Sequence, residues 1–155
     1  MKILIASDHR GDESGRALAR RLAEQGHETE IVGPASESVR DYPEPAHAVG
    51  AKLSKGEAQL GVLICGTGIG MSIAANKVDG VRAAVVHDEI TAQLARSHND
   101  ANVLCLSADL LGQRLIEKIV DAAIATPFAG GRHARRLRKI EAIEQGRDPS
   151  GVQDE

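Results

Sequence analysis

An α/β fold with a five-stranded parallel sheet between helical layers is the class this sequence predicts, and three observations predict it. Apolar runs of strand length recur along the chain, separated by segments in which apolar residues return with helical period. Three of those runs are continuous rather than alternating, the pattern of strands covered on both faces. The chain has 155 residues, one domain by size and enough for a single well-buried core.

In order, "KILIAS" (2–7) reads as the first strand, and 12–25, with Ala17, Leu18 and Leu22 in helical register, as the first helix. "ETEIVG" (28–33) is the second strand, followed by a helix over 44–55 marked by Ala48, Ala51 and Leu53. "LGVLIC" (60–65) is the third strand, and it runs through "GTGIG" into a helix-like "MSIAANK". "VRAAVV" (81–86) precedes a helix over 88–97 carrying Ile90, Leu94 and Ala95. "ANVLCLS" (101–107) is the fifth strand, and Leu111, Leu115, Ile116 and Ile119 mark a helix over 109–124. A last helix, about 131–145, follows "TPFAGG". Gly26, Gly56 and Gly80 fall near helix-to-strand joints, where a left-handed cap is wanted. Strands alternating with helices in this way define a Rossmann-like three-layer sandwich. Residues 1–145 form a single domain with no repeat or linker, and the polar tail 146–155 is expected to fray.

Composition narrows the function. Apolar residues make up 42%, but the aromatic residues are Tyr42 and Phe128 alone, so the core is aliphatic. The same poverty argues against a stacking platform for bases or sugar rings. A net charge of −3 gives no global basic field for nucleic acid or an anionic membrane. Cys65 and Cys105 both lie in apolar runs and make no disulfide framework. The first apolar stretch is too short for a secretory signal, and no run approaches a membrane span. A cytoplasmic protein is expected.

Ligands of an open parallel sheet bind at the carboxyl ends of the strands. Asp8 and His9 follow the first strand, Asp41 and Tyr42 the second, and Cys65 and Thr67 the third, so the six could share one crevice. Gly66, Gly68 and Gly70 make the loop after Cys65 a nest of N–H donors suited to an anion. It is not a dinucleotide fingerprint, because Met71 and Ile73 stand where the third glycine would be. Nor does it carry the Lys-Ser/Thr of a P-loop, which leaves a small anion or an oxyanion formed during reaction. A thiol beside such donors can act as nucleophile or general base, whereas Cys105, inside its strand, reads as structural.

His98 follows the 88–97 helix, where an imidazole either caps the helix or exchanges a proton with a bound hydroxyl. The last helix carries five Arg or Lys within 132–139. Arg132 and Arg136 are spaced i, i+4 beside the stripe of Leu137, Ile140 and Ile143, and together could clamp one phosphate. With negative net charge and so few aromatics, a phosphorylated small molecule fits them better than nucleic acid.

Taken together, "SDHRG" (7–11), "DYP" (41–43), "ICGTGIGMSIAANK" (64–77), "HND-NVL" (98–104) and "GGRHARR" (130–136) resemble the ribose-5-phosphate isomerase B family, which includes galactose-6-phosphate and allose-6-phosphate isomerases. The resemblance covers about residues 1–145 and implies a Rossmann-like α/β sandwich. It also implies aldose–ketose isomerisation of a sugar phosphate through a cis-enediolate, without metal or organic cofactor. Ribose 5-phosphate is the leading substrate. Carried over, Cys65 is the base between C2 and C1. Thr67 and the N–H groups of Gly66, Gly68 and Gly70 hold the oxyanion. His98 opens the furanose ring, with Asp41 or Tyr42 close by. Asp8 and Asn99 bind sugar hydroxyls, and His9, Arg132 and Arg136 take the phosphate. In the family the last helix crosses to a neighbouring subunit, which implies a homodimer or tetramer with a shared site.

One departure stands out. Family members usually carry arginine in "GSR" shortly after the "HN-NV" stretch, and this chain reads "SADLLG" with Asp109 at that place. A carboxylate would repel a phosphate there. The phosphate then falls to His9, Arg132 and Arg136 alone, or the preferred sugar is a tetrose or hexose phosphate. A non-catalytic sugar-phosphate sensor is the alternative from another class, against which the retained Cys65 and His98 count.

Overall fold

The computed structural model describes residues 1–33 and 41–152, so the end of the polar tail, 153–155, lies outside the described residues. The elements are β1 (Lys2–Ser7), α1 (Asp12–Glu24), β2 (Glu28–Ile31), α2 (Pro43–Ser54), β3 (Leu60–Cys65), α3 (Ile69–Ala75), β4 (Ala83–Val85), α4 (Glu89–Asn99), β5 (Val103–Ser107), α5 (Gln113–Ala125) and α6 (Arg132–Glu144), with a 3₁₀ turn at Pro149–Gly151.

The five strands form one sheet in the order β2-β1-β3-β5-β4, and every pair is parallel. β1, β3 and β5 occupy the middle and are buried, while the shorter β2 and β4 form the edges. Alternation along the strands sorts the core into two layers. Ile3, Ile5, Val62, Ile64, Leu104 and Leu106 pack with Leu18, Ala92 and Ile116 of α1, α4 and α5. Leu4, Ala6, Leu63, Cys65 and Cys105 pack with Val49 and Met71 of α2 and α3. The chain leaves β1 toward β2 and leaves β3 in the opposite direction, with α1 and α3 on opposite faces. A crevice therefore opens at the carboxyl ends of β1 and β3.

The helix boundaries shift from the pattern read in the sequence: α4 runs to Asn99 rather than stopping at 97, so His98 lies in its last turn instead of after it. α5 begins at Gln113 rather than near 109, because Ala108 and Asp109 are fastened to the end of β3 by N–H bonds to the Cys65 and Gly66 carbonyls (2.8 and 3.2 Å). α3 is a regular helix of only 7 residues. Gly26, Gly56 and Gly80 all take positive φ (89, 72 and 79°), as the joints required. α6 lies outside the sandwich with only His133 and Ala142 buried, leaving Ile140 and Ile143 exposed.

Candidate active site

The loop after β1 is folded around Asp8. Its side chain is buried, and Oδ1 accepts the N–H groups of Arg10 (2.8 Å) and Gly11 (3.2 Å), an Asx turn that reverses the chain. The Asp8 N–H reaches across to the Ile64 carbonyl at 3.2 Å, so this loop rides on β3. A Cβ at Gly11 would sit 2.4 Å from that carbonyl oxygen, which only glycine avoids.

At the tip of β3, Cys65 is buried on the α2–α3 side, and its Sγ accepts the Gly68 N–H at 3.1 Å. Gly68 adopts φ 78°, where a Cβ would stand 3.0 Å from the Cys105 carbonyl oxygen, and this left-handed turn is what aims its N–H back at the sulfur. The electrostatic support is therefore one well-placed donor rather than the dipole of a long helix. Thr67 is exposed, and its Oγ1 accepts from the Ile69 N–H at 3.3 Å. The ring of Tyr42, at the start of α2, lies so close over Gly70 that a Cβ there would meet it at 2.7 Å.

From β5, the fully buried Ser107 donates through Oγ to the Gly66 carbonyl (2.6 Å) and accepts the Leu110 N–H (3.0 Å). Asp109 then faces Arg10, whose Nε and Nη2 both donate to Oδ1 (2.9 and 2.7 Å). The carboxylate expected to repel an anion is thus paired with a guanidinium from the β1 loop. Below the rim, burial and then the nearby Cys65 push the Cys105 thiol far up, so Cys105 stays a protonated core thiol.

A second group forms where α4 meets α6. Asp88 caps α4 through the Thr91 N–H (2.6 Å), and Thr91 Oγ1 returns the bond. At the other end Asp100 takes the left-handed conformation (φ 43°), held by Arg82 (2.9 Å) and Arg96 (2.9 Å). Arg82 Nε also binds the Asn99 carbonyl at 3.1 Å, which pins the turn carrying His98 and Asn99. The His98 ring stacks on His133, centroids 4.1 Å apart and 8° from parallel. Burial, then His98, Arg132 and Arg136, hold His133 below the ordinary imidazole value.

The structure thus brings together Asp8, Tyr42, Cys65, Gly66, Thr67, Gly68 and Gly70 at the rim, with His9 and Asp41 exposed on the adjoining loops. His98, Asn99, Arg132 and Arg136 form the other group. Among the described residues, no hydrogen bond, ion pair or ring contact joins the two. The sequence reading missed Arg10, Gly11, Ser107 and His133. Gly11 alone carried a signal, as the residue closing the Asp8 turn. Also among the described residues, no three His, Cys, Asp or Glu side chains cluster as a metal site would need, and no helix is long and apolar enough to cross a membrane.

A thiol, a buried carboxylate and a glycine loop at the switch point of a parallel sheet define a Rossmann-like enzyme of small molecules. Comparison with known proteins makes that class specific. The family model for ribose/galactose isomerases matches residues 3–140. Ribose-5-phosphate isomerase B of Escherichia coli is 43% identical over 147 residues, covering 95% of this chain and 99% of that protein. A solved ribose-5-phosphate isomerase B from Clostridium thermocellum superposes with a TM-score of 0.91 at 44% identity, covering 94% of this chain and 99% of that one. The Mycoplasma genitalium enzyme, solved with bound ribulose-5-phosphate, gives a TM-score of 0.89 at 44% identity, covering 93% of this chain and 96% of that one. The chain belongs to the ribose/galactose isomerase family, and with it to the aldose–ketose isomerases.

Proposed function

We propose that this enzyme interconverts ribose 5-phosphate and ribulose 5-phosphate, with Cys65 as the base. The observation that carries the mechanism is the Cys65 sulfur at the β1–β3 crevice, 3.1 Å from the Gly68 N–H and beside the Asp8 turn. The substrate rests on the relatives named for it, one of which holds ribulose-5-phosphate.

From the open-chain aldose, the Cys65 thiolate takes the proton on C2, and the electron pair moves through C1 onto O1 to give a cis-enediolate. Thr67 and the N–H groups of Gly66 and Gly70 hold the developing oxyanion, while the Gly68 N–H steadies the sulfur that has gained and will return the proton. The proton goes back to C1, the O2 proton moves to O1, and the ketose results. C1 is reduced and C2 oxidised by the same electron pair, so nothing external is consumed.

His98 opens the furanose ring by moving a proton between ring oxygen and anomeric hydroxyl, with Asp41 or Tyr42 close by. Asp8 and Asn99 take sugar hydroxyls, and His9, Arg132 and Arg136 take the phosphate, whose binding energy holds the reacting carbons in place. The rim of one subunit and the His98 group of another complete each site in a homodimer. Support for this sharing comes from α6, which buries only His133 and Ala142 in its own chain and exposes Ile140 and Ile143.

Cys65→Ala tests the reading. Turnover of ribose 5-phosphate should fall about 10²- to 10⁴-fold, with the melting temperature and sugar-phosphate binding retained. Undiminished turnover rejects Cys65 as the base. In deuterated water the wild-type enzyme should exchange the migrating hydrogen, and a panel of four- to six-carbon sugar phosphates should rank ribose 5-phosphate first. A better tetrose or hexose phosphate would correct the substrate and keep the reaction.

A further inference from the structure

The rim carries a charged pair that the proposed reaction does not use. Arg10 stands at the end of β1 and Asp109 at the end of β5, on either side of Gly66 at the end of β3. A Cβ at Gly66 would lie 3.1 Å from Asp109 Oδ2 and 3.3 Å from Arg10 Cδ, so the pair rests directly against the residue that follows the thiol. Arg10 is fixed at both ends. Its N–H is bound to the buried Asp8 carboxylate at 2.8 Å, and its Nε and Nη2 both donate to Asp109 Oδ1. Asp109 is fixed in turn by its N–H bond to the Gly66 carbonyl (3.2 Å).

We propose that Arg10 is a specificity-determining residue of this site, its guanidinium, anchored by Asp109, donating to the anionic group of the sugar phosphate. This rests on the sugar-phosphate reading above. One edge of the guanidinium is occupied by Asp109, and among the described residues Nη1 makes no hydrogen bond. The Arg10 side chain is 54% exposed and Asp109 38%, so the pair is open to a ligand in the crevice rather than sealed beneath it. Alone, Asp109 would make this part of the rim anionic and hostile to a phosphate. With Arg10 seated on it the pair is neutral, and the donors that remain belong to a rigid fork suited to phosphate oxygens. Ordinary exposed ion pairs contribute little to folding, so nothing in stability requires this one. Its two-ended anchoring holds a cation ready in one place, which lowers the ordering cost of binding.

The experiment is a kinetic comparison of wild type, Arg10→Ala, Arg10→Lys and Arg10→Ala/Asp109→Ala with ribose 5-phosphate. Arg10→Ala should raise KM about 10- to 100-fold, the worth of one hydrogen bond between charged groups, with kcat within roughly threefold of wild type. The double variant should recover part of that loss, because the uncompensated carboxylate leaves with it. Arg10→Lys should fall between, keeping the charge but not the fork. A KM for Arg10→Ala within about twofold of wild type overturns the proposal. So does an equal rise in the double variant accompanied by a lowered melting temperature, the mark of a pair that only fastens two loops. If the wild-type protein isomerises no sugar phosphate, the isomerase reading fails by itself. Calorimetric titration with ribose 5-phosphate against ribose then reads the proposal independently. Loss of the preference for the phosphorylated sugar in Arg10→Ala supports it, and an unchanged preference overturns it.

Discussion

Around the thiol, backbone groups from three strand ends lock one another: Asp8 N–H to Ile64, Ala108 N–H to Cys65, Asp109 N–H to Gly66, Gly68 N–H to the sulfur. Around His98 the support is a ring stack, a pinned turn and a helix with two buried residues. The first region is over-determined within one chain, and the second is only half held. That contrast matches the chemistry proposed for each. Moving a carbon-bound proton tolerates little displacement of the base, whereas in the proposed shared site ring opening and phosphate capture would be completed by a second copy of the chain.

The largest effect that could break this division is complementation. Cys65→Ala and His98→Asn homodimers should each lose most of their activity. If the two regions meet only across subunits, a mixed dimer has one site with both defects and one with neither. Co-refolding equal amounts should then restore roughly a quarter of wild-type turnover, since random pairing makes half the dimers mixed and each has one intact site. Activity no higher than that of the separate variants would place both residues in a site within one chain.

A structural substitution comes next. Gly11→Ala drives a Cβ into the Ile64 carbonyl, and because the obstacle is backbone, no rotamer change relieves it. The cost should be about 3 kcal/mol, read as a fall in melting temperature on the order of 10 °C. An unchanged melting temperature would show that the β1 loop can lift from β3 and that the rim is less rigid than its hydrogen bonds suggest.

How much of this could be read from the sequence follows the same line between local and distant. The apolar runs located all five strands, and the strand-end rule placed Asp8, Tyr42 and Cys65 together, because the runs and the loops after them are contiguous in sequence. The glycine spacing identified Gly68 as a backbone device, though not that its N–H would turn to the sulfur. Arg10 and Asp109 are 99 residues apart, and nothing in either local sequence announces the pair. Asp109 taken alone even suggested a site hostile to phosphate. The His98–His133 stack was equally hidden, because it depends on how α6 packs on α4, two elements far apart in the sequence.

The smallest expected effect falls on His133 and separates the two regions by pH. Burial, with His98, Arg132 and Arg136 around it, holds His133 below the ordinary imidazole value. A base depressed in this way takes its proton more readily in the unfolded chain, so folding stability is full above the ordinary value, about 6.5, and declines as the pH falls through the lower folded value. Protonation would also set a cation in a ring stack flanked by two arginines. Cys105, buried under the rim, is displaced in the opposite direction by burial, stays a thiol through the neutral range and adds no dependence there. The melting temperature should therefore fall more steeply between pH 7 and pH 5 in the wild type than in His133→Gln, which keeps a polar side chain but cannot take the charge. Parallel curves would mean that the acid-sensitive group lies elsewhere.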